Sequence, residues 1–109
     1  MNKVLILITT ESNEKKAKNI AKLLLKKKLA ACVSLKEIYS IYEWEGEIQE
    51  VSEVEIIIKS KPKLKKFLIA FLKKMTSYEV SQIIFKNFNS EKQYMNWVNK
   101  SCSNNVFFQ

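Results

Sequence analysis

The chain has 109 residues and a formal net charge of +8, with 47% hydrophobic and 11% aromatic residues, a mixture that suits one folded domain and excludes a disordered chain. All 19 basic residues are Lys and all 11 acidic residues are Glu, there is no His, and there is one Gly. That excludes imidazole catalysis, His-containing zinc sites, guanidinium clamps on phosphate and glycine-rich nucleotide loops, and no catalytic residue is expected.

Val4 to Thr10 is expected to be the first strand, with Leu5 and Leu7 on one face and Val4, Ile6 and Ile8 on the other. Both faces are apolar, so a sheet with helices on one side needs a second cover. The run Val4 to Ile8 is too short for a signal-peptide core or a membrane span. Two cysteines, Cys32 and Cys102, with no CxxC pair suit a reducing compartment, so the expected location is cytoplasmic and no membrane partner is expected. Residues 13–29 have the spacing of an amphipathic helix, with Ala17, Ile20, Ala21, Leu24 and Leu25 as its apolar stripe and Ser12 as its N-cap.

Ala31 to Trp44 reads as one long strand with a bulge or bend near Leu35-Lys36-Glu37, Gly46 as the turn, and Ile48 to Lys59 as the returning strand. Arms that long project beyond an ordinary sheet, and a protruding ribbon that carries Tyr39, Tyr42 and Trp44 wants a partner. Pro62 opens a second helix that runs to about Met75, with Leu64, Phe67, Leu68, Phe71 and Leu72 on one face. Tyr78 to Phe88 is the fourth expected strand. Ser90 with Gln93 forms a capping box for a short third helix bearing Tyr94, Trp97 and Val98. Residues 103–109 form a tail, read as a short docking strand or an unstructured end.

The order β-α-β-β-α-β-α predicts an α+β, ferredoxin-like split βαβ sandwich: a four-stranded antiparallel sheet with two helices on one side. Residues 1–109 make one domain with its core at about 3–100. Residues 59–109 hold ten Lys and two Glu, while the first 58 residues balance. Nucleic acid is nevertheless not an expected partner, because the lysines fall on helices with no aromatic residues between them.

Three stretches together resemble the CutA family of divalent-cation tolerance proteins: Leu29-Ala30-Ala31-Cys32-Val33, Ser40-Ile41-Tyr42-Glu43-Trp44-Glu45-Gly46-Glu47-Ile48, and Ser77-Tyr78-Glu79-Val80. The resemblance implies a homotrimer in which the open sheet faces turn inward and the long hairpins cross subunit boundaries, with Tyr39, Ile41 and Ile48 at the interface. It implies a non-enzymatic role in tolerance of copper or other divalent cations, with a weak site for such a cation. A second implied reading is a PII-like trimeric regulator that senses a small ligand or docks an unidentified protein partner without metal.

The family's proposed metal contacts lie in a motif resembling His-Pro-Tyr-Glu-Val-Pro. Here Thr76 stands at the histidine position and Ser77 and Ser81 at the prolines, so Tyr78 and Glu79 carry over and the strongest ligand does not. Cys32 is the second candidate metal donor, because thiolates favour Cu(I), and it is equally natural as a small buried residue. Tyr78, Tyr42 and Trp44 are candidates for lining an intersubunit cleft.

Overall fold

A computed structural model describes residues 2–102; the tail expected at 103–109 lies outside the described residues. The elements are β1 (Lys3–Glu11), α1 (Glu14–Lys26), β2 (Cys32–Trp44), β3 (Glu47–Ser60), a short 3-10 turn (Pro62–Leu64), α2 (Lys65–Met75), β4 (Ile84–Asn89) and α3 (Lys92–Ser101). The four strands form one sheet in the order β2-β3-β1-β4, and every neighbouring pair is antiparallel. This is the split βαβ arrangement expected.

Strand alternation sorts the sheet into two faces. Leu5 and Leu7 of β1 and Val54, Ile56 and Ile58 of β3 are buried with Ala17, Ile20 and Leu24 of α1 and Leu68 and Leu72 of α2. Helical spacing puts these residues on one stripe of each helix, and their burial is the main stabilising term. The opposite sheet face carries Ile6, Ile8, Ile38, Ile57 and Ile84, none of them fully buried, and no helix of the pair covers it. Leu25, expected on the α1 stripe, is exposed, because the buried stripe is the narrower one through Ala17, Ile20 and Leu24.

The second and third strands pair without a break from Cys32 opposite Lys59 to Trp44 opposite Glu47, so the bulge expected near Leu35-Lys36-Glu37 is absent. Glu45 and Gly46 both have positive φ, 51° and 84°, the geometry of a two-residue hairpin turn whose twist matches its strands. The hairpin extends past the helices and draws the molecule out to 45 × 28 × 21 Å.

Several local expectations are corrected. Asn13, not Ser12, caps α1, with Oδ1 accepting from the Lys16 N–H at 2.9 Å. Ser12 is occupied elsewhere: its N–H and hydroxyl both donate to Glu11 Oε2. Glu91, not Ser90, caps α3, its carboxylate accepting from the N–H groups of Gln93 and Tyr94 at 2.9 Å each. Those bonds hold the Glu91 carboxyl below its ordinary pKa. Ser90 is satisfied by donating to the Glu91 carbonyl. The fourth strand starts at Ile84, opposite Ile8, instead of Tyr78, because residues 76–81 spend their hydrogen bonds on side chains.

Candidate functional site

A cleft of about 320 Å³ lies where the α2–β4 connection passes over the uncovered side of the hairpin. Tyr42 and Trp44 come from β2, Glu53 from β3, Thr10 from β1, and Ser77, Tyr78, Glu79, Val80 and Gln82 from the connection. Alternation explains the selection. Tyr42 and Trp44 are even-numbered on β2 and pair with Gln49 and Glu47, while Glu53 pairs with Ile38, so all three project from the face turned away from the helices.

The connection is held in place by three hydrogen bonds. The Ser77 N–H donates to Glu11 Oε1 at 3.0 Å, the Tyr78 hydroxyl donates to Glu53 Oε1 at 2.8 Å, and the hydroxyls of Thr76 and Ser81 bond to each other. The last bond joins the two ends of the stretch that the resemblance aligns with a histidine and a proline, so here hydroxyl pairing closes the turn. Lys16 Nζ also donates to Ser77 Oγ at 3.3 Å, which ties α1 to the same turn.

Burial raises the Tyr78 pKa well above 10.0, and the hydrogen bond to Glu53 and the negative charges of Glu53 and Glu11 add to it, so the hydroxyl stays a donor. Glu11 has no exposed surface. Burial on its own would raise its pKa, but the hydrogen bonds from Ser12 and Ser77 outweigh that and hold it below 4.5.

The expected site residues fall into three places. Tyr42, Trp44, Tyr78 and Glu79 line one cleft. Tyr39, Ile41 and Ile48 project from the opposite face of the hairpin and are 63%, 64% and 71% exposed, large values for apolar side chains. Cys32 is half-buried opposite Lys59, six pairs along β2 from the Ile38–Glu53 pair, or about 20 Å at the strand rise. Cys32 and Glu79 of one subunit therefore do not meet. Among the described residues no three His, Cys, Asp or Glu side chains stand together as a metal-holding group, so within one subunit the donors present do not fit a metal centre.

Sequence reasoning missed Glu53 and Glu11. Glu11 had a legible signal, since it shares the parity of buried Leu5, Leu7 and Thr9. Glu53 had none, because its partner Tyr78 is 25 positions away on a connection whose path the sequence does not give.

Comparison with known proteins gives one consistent result. The model of the family described as CutA1 divalent ion tolerance protein matches residues 4–101. The chain is similar to protein CutA of Mus musculus, with 42% identity over 90 residues that make up 81% of this chain and 51% of the mouse protein, so it spans about half of that relative. It is also similar to the divalent-cation tolerance protein CutA of Yersinia pestis, with 30% identity over 99 residues, 89% of this chain and 83% of the other. Among solved structures, CutA of Pyrococcus horikoshii superposes with a TM-score of 0.89 at 32% identity, covering 91% of this chain and 99% of that one.

Proposed function

The chain belongs to the CutA1 divalent ion tolerance family, and from that premise we propose that it works as a homotrimer, without catalysis, in tolerance of copper or another divalent cation. The observation that carries the trimer is the uncovered sheet face together with the overhanging hairpin. Tyr39, Ile41 and Ile48 expose apolar surface on one hairpin face, and β2 leaves a 13-residue edge unpaired. A second copy of the same surface is the natural cover, and a head-to-tail contact that closes after three copies leaves no ribbon bare.

Cys32 and Glu79 remain the proposed metal donors. Their separation supports two weak sites, each completed by a neighbouring copy, over one strong site within a subunit. The proposed compartment is the cytoplasm, where the free thiols of Cys32 and Cys102 stay reduced. Among the described residues no helix is long and apolar enough to cross a membrane.

The composition of the cleft favours a second reading, in which the trimer senses a small ligand without metal. Three aromatic rings and two carboxylates line it, a wall suited to an organic molecule. Sedimentation of the purified chain tests the assembly: a trimer at micromolar concentration is expected, Ile41→Lys with Ile48→Lys should dissociate it, and a well-folded wild-type monomer overturns the proposal. Copper titration of the same material tests the metal reading. Binding that weakens on Cys32→Ser or Glu79→Gln supports it, and binding untouched by both removes those residues from it.

A further inference from the structure

The walls of the cleft specify more than its size. We infer that it binds a small organic ammonium, a cation dressed in methyl or methylene groups, recognised by ring faces and by two carboxylates. This inference rests on the metal-free reading of the cleft and names its ligand class.

Tyr42 and Trp44 reach the cleft from β2 and Tyr78 from the α2–β4 connection, so aromatic rings come to it from two separate segments. The faces of such rings carry the negative end of a quadrupole and attract an alkylated cation that sheds its water easily. Glu53 and Glu79 supply full negative charge, and no lysine lines the cleft, although the chain carries 19 of them against 11 glutamates. On the cleft's own face of the hairpin Glu47 and Glu55 add to the charge of Glu53, while Lys16 stands behind the connection, bonded to Ser77 Oγ.

The Tyr78 hydroxyl fixes the site. Because it donates to Glu53 Oε1, it orients that carboxylate while leaving its charge intact. Zinc takes three or four protein donors, and the described residues bring no such group together. An organic ammonium asks less, since ring faces replace part of its hydration and the carboxylates act without a fixed coordination geometry. A neutral ligand of the same shape would forgo the attraction of both carboxylates.

The test uses the full chain and the two tryptophans. Trp97→Phe removes the emission from α3, outside the cleft, and leaves Trp44 as the reporter. The probes are choline, its uncharged carbon isostere 3,3-dimethylbutan-1-ol, and copper(II) chloride. Choline is expected to shift Trp44 emission saturably and the isostere is not. Glu79→Gln, at an exposed position, should weaken choline roughly fivefold to tenfold. Glu53→Gln, which can still accept from Tyr78, should do the same with the far-ultraviolet dichroism unchanged. Equal binding of choline and the isostere overturns charge recognition but leaves a small-ligand cleft. Saturation by copper alone overturns both this inference and the metal-free reading. No response to any probe removes the cleft as a binding site.

Discussion

The hydroxyl of Thr9 is fully buried on the helix side of β1 and finds no hydrogen-bond partner among the described residues. A buried group left unpaired costs about 1–3 kcal/mol. Thr9→Val keeps the β-branched shape and removes the cost, so it should raise stability by about 1 kcal/mol in urea denaturation. Glu11, two positions on, is the opposite case: a buried carboxylate whose acceptors are well used. Glu11→Gln should destabilise the protein by about 1–3 kcal/mol at neutral pH. The sign with pH follows from its depressed pKa. The stability it adds is complete above the ordinary value of 4.5 and is lost as pH falls through the folded value. The gap between wild type and variant in urea midpoint should therefore narrow in acid; a constant gap would mean that the charge does not matter. Both residues could be placed inward by alternation along β1. What no alternation tells is which polar side chain finds a partner, because the donors to Glu11 come from Ser12 and from distant Ser77.

At the scale of elements, α1 ends in a motif that its sequence conceals. The Leu29 N–H donates to the Leu24 carbonyl and the Lys28 N–H to the Leu25 carbonyl, the paired bonds of a Schellman motif, with Lys28 at φ 60° where glycine usually stands. Helical spacing continued through Leu29, so the sequence alone set the end three residues late. Lys28→Gly should relieve the left-handed strain and stabilise by about 1 kcal/mol, read as a rise in thermal midpoint. The caps and β4 teach a related lesson. Ser12 and Ser90 have cap-like chemistry, but neighbours with carboxyl and amide groups took the caps and left each serine another acceptor. Tyr78 to Ile83 has strand-like composition, yet Glu11, Glu53 and the Thr76–Ser81 pair hold it as a connection, and that departure creates the cleft. The hairpin was legible because period-two patterning, a single glycine and long arms all agreed.

At the scale of the molecule, charge is segregated along the long axis. Seven of the 11 glutamates lie between residues 37 and 58, and all 19 lysines lie elsewhere. In the proposed trimer a head-to-tail contact sets an acidic ribbon against a lysine-rich body, so part of the attraction is electrostatic. Raising salt from about 0.1 M to about 1 M shortens the screening length from ~10 to ~3 Å. The dissociated fraction at high dilution should rise over that range in sedimentation, whereas an interface held by Tyr39, Ile41 and Ile48 alone would tighten or stay unchanged. The need for an outer cover could be seen in β1, whose two faces are both apolar. The direction of the charge axis needed the fold, because only the fold carries residues 38–53 past the end of β1, which pairs with β3 at residues 54–60.

The same glutamates matter before the proposed ring closes. A newly released copy holds out two bare strands, and the surface most like them in the cell belongs to another newborn copy. Two such arms zipped edge to edge would start a fibre, since each pairing exposes a fresh edge. Carboxylates spaced along the arm set like charge against like in such a pairing and so disfavour it.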